Sequence, residues 1–224
     1  MIKLADEETR ACHAGASTWR GTARVNDYSI GIEVIHQTDP YLDEKYEALI
    51  GLLVSIRARY LAIPQRNVVG HNEIGTHANG QLGRKLLDPG RTFAWPRLEA
   101  AGVAMTPSTE ADALPADPTT LYGGVFADAT FALSGTGPQP AGYQTAVDEI
   151  RQDLVDIGYA IPGDATGDPY GLALGRAVLI FKYRYFTGAR EVADAAFYND
   201  SGAGLRVDAP TARMIKRVHH AATI

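Results

Sequence analysis

The sequence predicts an α/β protein in which a mixed sheet flanked by helices is followed by a small three-helix C-terminal domain. Three observations lead there. Strict alternation over Ser29 to Ile35, an apolar helical period over Asp43 to Tyr60 and a second β-type run over Asn67 to His71 follow one another in the first half. A stretch lacking Lys and Arg, Thr106 to Pro140, interrupts the chain, and beyond it the apolar spacing is helical alone.

The alternating run places Ile30, Ile32 and Val34 on one face and turns Glu33 to the other. Tyr46, Leu49, Ile50, Leu53 and Ile56 then share one side of a helix for which Asp43 is the expected N-cap. In the second run an extended backbone points Val69 and His71 the same way. Strand, helix and strand in this order predict a layer in which the second strand lies beside the first. Residues 106–140, rich in Pro, Gly, Ser and Thr and holding four acids, read as a linker. This divides the chain into an N-terminal domain, 1–105, and a C-terminal domain, 141–224. Val147, Ile150, Leu154 and Ile157 mark the first helix of the latter, and Leu174, Ala177, Val178, Phe181 and Tyr185 mark the second. The third starts at Asp208 as N-cap with Pro210 in its opening turn. A turn-rich segment, Pro162 to Gly171, separates the first two.

With 46% hydrophobic residues the composition is that of a globular protein. The net charge of −5 comes without a Lys or Arg cluster able to track phosphates, so nucleic acid is not an expected partner. The longest apolar stretch, Ala48 to Ile56, is far short of the roughly 20 residues that span a bilayer. The opening MIKLADEETR lacks the apolar core of a signal peptide. Cys12 is the single cysteine, so no intrachain disulfide forms.

Taken bare, the chemistry-bearing residues are ambiguous. Neutral imidazole and carboxylate both bind zinc, which admits His71 in VVGHNEIG and Asp88 in GRKLLDPG as ligands; a surface histidine and a turn aspartate are the alternative. Glu33, alone in the aliphatic run IGIEVI, either faces water on the open side of a sheet or lines a site. Arg84 and Lys85 are a solvated basic pair or a source of oxyanion stabilisation.

The runs CHAGASTWRG (12–21), RVNDYSIGIEV (24–34), VVGHNEIG (68–75) and GRKLLDPGRTFAWPRL (83–98) resemble, in order, motifs of the amidase_2 family of N-acetylmuramoyl-L-alanine amidases. The resemblance implies that His71 and Asp88 bind Zn2+, that Glu33 is the catalytic carboxylate and that Lys85 assists. It further implies that Arg24 lies near the stem peptide and that His13 lines the cleft. The family's lysine stands two residues before the aspartate, whereas here Leu86 holds that place and Lys85 stands three before. Relatives carry a further zinc histidine on a strand preceding HAG. The chain opens where that strand would end, so the expected fold is amidase_2-like but N-terminally truncated. Cys12, His13, His36 and His77 are the nearby candidates for a substitute ligand, and a second copy of the chain is a candidate partner for the exposed sheet.

The segments EIRQDLVDIGY (149–159), GRAVLIFKYRYF (175–186) and DAPTARMIKRV (208–218) resemble the peptidoglycan-binding modules appended to such amidases. There Tyr183, Tyr185 and Phe186 are either core residues or platforms for sugar rings. Together the resemblances imply zinc-dependent hydrolysis of the amide between N-acetylmuramic acid and L-alanine, acting on peptidoglycan or muropeptides in the cell envelope or periplasm, with the cytoplasm as the other compartment. The alternative is a non-catalytic peptidoglycan-binding protein descended from a truncated amidase.

Overall fold

The computed structural model describes residues 2–35, 41–128, 131–133, 138–162 and 170–224. Among these residues, helices and one small sheet make up the architecture. Strands β1 (Thr18–Trp19) and β2 (Thr22–Ala23) form an antiparallel hairpin. Arg20 and Gly21 between them both have positive φ, 48° and 76°, as the tightest hairpin turns require. Among the described residues seven α-helices follow: α1 (Asp43–Arg59), α2 (His71–Ile74), α3 (Trp95–Ala100), α4 (Glu110–Ala113), α5 (Tyr143–Ile157), α6 (Gly171–Tyr185) and α7 (Ala209–Thr223).

The helices read from the sequence form where their apolar spacing places them. In α1, Tyr46, Leu49, Leu53 and Ile56 are buried; Leu42 is the N-cap, and Asp43, expected there, is the first helical residue and pairs with Arg97. Asp208 caps α7 by accepting the Thr211 N–H at 2.9 Å, with Pro210 in the opening turn. From Ala173 to Tyr185 every residue of α6 except Arg176 is buried, so this is the central helix and its charged Lys182 and Arg184 have no route to water.

The two expected strands are corrected. Among the described residues neither 29–35 nor 67–71 enters a ladder; residues 65–67 form a 3-10 turn and His71 opens α2 rather than ending a strand. Alternation alone does not make a strand, because each needs a neighbour to take its backbone hydrogen bonds. The side-chain alternation nevertheless survives: Ile32 and Val34 pack inward and Glu33 is exposed. His36 and most of the 162–171 turn lie outside the described residues.

The 106–140 segment differs from a free linker. It buries Leu121, Tyr122, Val125, Phe126 and Leu133 in the principal core, pairs Leu133 with Val207, and donates the Ser108 N–H to the Arg217 carbonyl at 3.1 Å. Its turn residues set the path, and its few apolar residues decide where it packs. Tyr183, Tyr185 and Phe186 are likewise core, each no more than 6% exposed, which removes them as sugar platforms.

Two apolar clusters result. The larger joins α5, α6, α7 and the 121–133 segment to Ala14, Trp19, Val25 and Ile74 of the N-terminal half. Trp19 meets Tyr159 edge-on at 5.8 Å, and the Arg20 N–H donates to the Gly158 carbonyl at 3.0 Å, docking the hairpin on the end of α5. The smaller packs α1 against Phe93, Trp95, Leu98 and Val103. The candidate site lies along this second cluster.

Candidate active site

A cavity of about 320 Å³ opens between the HAG turn, the 29–35 segment and the start of α2, and His13, Glu33, His71 and Asp88 all line it. Four residues singled out in the sequence, spread over 76 positions, thus converge on one concavity.

Each is placed by a local device. The Asn26 amide oxygen accepts the N–H groups of His13 (3.0 Å) and Ala14 (2.7 Å), closing the HAG turn. His13 has both ring nitrogens engaged, Nδ1 with the Ala11 carbonyl at 3.0 Å and Nε2 with Ser29 Oγ at 2.9 Å, so it orients the turn rather than offering a lone pair to a metal. Gly31 lies directly on this imidazole, and a Cβ there would fall 2.4 Å from His13 Cγ; only glycine lets the Glu33 segment pass so close. Gly70 plays the same part opposite, where a Cβ would fall 2.7 Å from Pro89 Cδ. The Asn72 N–H donates to the Asp88 carbonyl and its side-chain amide to the Pro89 carbonyl, both at 2.7 Å, so α2 holds the Asp88 loop.

His71 Nδ1 lies 3.2 Å from Asp88 Oδ2, and Nε2 lies 3.0 Å from the Ala14 carbonyl. In the tautomer whose Nε2–H donates to that carbonyl, Nδ1 turns a lone pair toward the carboxylate. In that tautomer the two acceptors stand at a distance that a metal ion between them would bridge. Zinc bonds of about 2.0–2.1 Å at the tetrahedral angle put two ligands about 3.3 Å apart. The imidazole's second nitrogen on a backbone carbonyl is the usual support of a metal-bound histidine. The pair therefore fits two positions of a zinc site. Among the described residues no group of three His, Cys, Asp or Glu side chains gathers to complete it. Cys12 is exposed and receives an Arg10 N–H at 3.3 Å, and neither it nor His77 lines the cavity.

Lys85 Nζ stands 3.8 Å from Asp88 Oδ2 and is not among the cavity's lining residues. Arg24 is not a lining residue: it sits past the hairpin with φ 63° and pairs with Asp27 at 2.8 Å while largely exposed. The Arg10 guanidinium, hydrogen-bonded to Asp27 and helped by Arg24, holds that carboxyl below the usual carboxylate range.

Arg84, ambiguous in the sequence, is not a lining residue either but stands directly behind His71. Its Nε donates to the Thr76 carbonyl at 3.1 Å and its Nη2 to those of Ala14 (2.7 Å) and Ala16 (3.2 Å), which leaves Nη2 3.3 Å from His71 Nε2. A positive charge thereby backs the imidazole edge opposite Asp88. No local pattern distinguishes it from Lys85, since its partners come from segments about seventy residues earlier as well as from the adjoining turn.

Residues 1–91 match the Amidase_2 family model, N-acetylmuramoyl-L-alanine amidase. The chain is 39% identical over 101 residues to the 1,6-anhydro-N-acetylmuramyl-L-alanine amidase AmpD of Enterobacter cloacae, covering 45% of this chain and 50% of that one. It is 35% identical over 118 residues to the N-acetylmuramoyl-L-alanine amidase AmiD of Escherichia coli, covering 48% and 40%. The chain thus spans about half the length of the curated relatives it matches. In fold it resembles E. coli AmiD solved with anhydro-N-acetylmuramic acid-L-Ala-D-gamma-Glu-L-Lys (TM-score 0.60, 24% identity, 97% of this chain and 71% of that one). It resembles Pseudomonas aeruginosa AmpDh3 solved with an anhydromuramic pentapeptide to a similar degree (TM-score 0.64, 24% identity, 96% and 71%). By its ordered motifs and this match, the 1–91 segment of the chain is similar to the Amidase_2 family of N-acetylmuramoyl-L-alanine amidases.

Proposed function

We propose that this chain hydrolyses the amide between N-acetylmuramic acid and L-alanine in peptidoglycan or its soluble fragments, using a zinc ion held by His71 and Asp88. The observation that carries the proposal is the facing of His71 Nδ1 and Asp88 Oδ2 at 3.2 Å in a cavity that Glu33 also lines. When bound, zinc polarises the amide carbonyl and makes water nucleophilic at neutral pH. Glu33 accepts the proton of the attacking water and delivers it to the departing L-alanine nitrogen, so that hydroxide stays on the lactyl carbon and the amine leaves neutral. Lys85, on the Asp88 side, offers positive charge where the carbonyl oxygen becomes anionic. His13 holds the HAG wall of the cleft against the substrate, and Arg24, outside the cavity lining, is proposed to meet the acidic stem peptide. Residues 141–224 are proposed as a glycan-gripping unit linked through 106–140 to the catalytic part, 1–105, which places the protein's work in the cell envelope. The relatives named for 1,6-anhydro substrates favour anhydromuropeptides as the fragments cut.

A second reading has its own support. Only two zinc donors meet among the described residues, the pattern expected of a peptidoglycan-binding protein without turnover. The deciding experiment measures zinc per chain and release of free peptide from a purified anhydromuropeptide by mass spectrometry. Peptide release that chelation removes, zinc restores and Glu33→Gln abolishes supports the hydrolase. Binding to sacculi with no released peptide and zinc well below one per chain refutes it in favour of the binder.

A further inference from the structure

The C-terminal helices reach the metal pair through a buried charge network. Arg184 of α6 and Glu73 of α2, 111 residues apart, are each 2% exposed and meet at 3.4 Å between Nη1 and Oε2. The other arm of the guanidinium, Nη2, donates to the Val68 carbonyl at 3.1 Å, and the group lies flat on Trp95 with its carbon 3.4 Å from the ring centre. Arg184 therefore grips the chain three residues before His71 and two residues after it. Glu73 is fully occupied in turn: Oε2 accepts the Gly70 N–H at 2.7 Å, closing the turn that carries His71, and Oε1 accepts the Tyr159 hydroxyl at 3.1 Å.

We infer that Arg184 and Tyr159 are positioning residues for the His71–Asp88 pair, acting through Glu73 to set the segment from which both donors hang. His71 stands on that segment, and Asn72 ties the Asp88 loop to it through two hydrogen bonds of 2.7 Å. A displacement of α2 thus moves both donors together with respect to the HAG carbonyl that orients the imidazole. Metal affinity is sensitive at this scale: loss of groups that orient ligands typically lowers it 10–100-fold. The guanidinium is suited to the task because its planar fork addresses a carboxylate and a carbonyl at once while stacking on an indole, which an ammonium cannot do. The helical half of the chain is accordingly a built part of the site as well as a neighbour of it. The inference rests on the reading of His71 and Asp88 as zinc ligands.

The test uses the whole chain with Tyr159→Phe, which deletes one hydroxyl and keeps the buried ring, and Arg184→Met, which deletes the fork. Zinc affinity is measured by competition with a chromogenic chelator well below the unfolding temperature. Amide hydrogen exchange of Gly70 and Asn72 in the metal-free protein is compared with that of the α1 core. The expected result is a zinc dissociation constant raised about tenfold or more in Arg184→Met and severalfold in Tyr159→Phe, with faster exchange at Gly70 and Asn72 and unchanged exchange in α1. Unchanged affinity together with uniform or absent acceleration overturns the inference and leaves the network a stabilising one. Should Arg184→Met fail to fold, Tyr159→Phe decides by the same two readouts. If the unmodified chain takes up no zinc, the metal reading fails by itself, and selective acceleration at Gly70 and Asn72 still decides the positioning role.

Discussion

Lys182 is fully buried on the central helix, its ammonium donating to the Ala203 carbonyl at 3.1 Å and lying 4.1 Å from the centre of the Phe197 ring. Burial lowers its pKa from the ordinary 10.5 to about 8, with Asp208 opposing and Arg206 adding to the shift. The sign of the stability effect follows from where the proton resides. Below pH 8 both folded and unfolded chains hold it, and the folded protein bears the whole cost of a buried ammonium, about 3 kcal/mol at roughly 1.4 kcal/mol per pH unit. Between pH 8 and 10.5 the unfolded chain binds the proton that the folded protein has released, so stability rises with pH. Replacing Lys182 by Met keeps the volume and removes the charge. After about 1 kcal/mol is lost with the Ala203 hydrogen bond, the variant should be about 2 kcal/mol more stable at pH 7. That advantage should shrink by about 2 kcal/mol by pH 9.5, because the wild-type protein gains stability there. Urea unfolding of both proteins at pH 7 and 9.5, with fixed salt, measures the difference. A variant that is less stable at pH 7, or a gap that does not change with pH, would refute the reasoning.

Above about pH 10 the trend should reverse. Burial holds the Tyr122, Tyr159, Tyr170 and Tyr185 hydroxyls well above their ordinary 10.0, so the unfolded chain loses those protons first and stability falls as pH climbs; a wild-type stability maximum near pH 9–10 in the same urea series is the check. Gly158→Ala should destabilise by more than about 2 kcal/mol, since φ is 142° and the added carbon would fall 2.7 Å from the Trp19 ring; an unchanged thermal midpoint contradicts this. Asp208→Ala removes the acceptor of the Thr211 N–H and should lower stability by about 1 kcal/mol, with Asp208→Asn retaining most of it, both read from urea midpoints.

The long helices were legible because each carries its own evidence. The spacing of Leu49, Leu53 and Ile56, or the Asp208 cap with Pro210 behind it, involves residues within a turn or two of one another, and local sequence specifies local geometry. The 29–35 and 67–71 strands were misread for the complementary reason: alternation records which side is apolar, but a strand exists only when another segment takes its hydrogen bonds, and none among the described residues does. The 106–140 segment likewise showed its turns in its composition and hid its packing in five scattered apolar residues.

By itself the sequence determined the positions of the long helices α1, α5, α6 and α7, and four ordered motifs that bring His13, Glu33, His71 and Asp88 under suspicion together. Tertiary structure alone decided that these four share a cavity, that Arg84 backs the imidazole, and that Glu73 and Arg184 meet beneath it across 111 positions. The physical reason is one of range. Periodicity and caps are set by neighbours along the chain, whereas the partner of a buried charge or a ligand is chosen by which distant segments the core packs side by side.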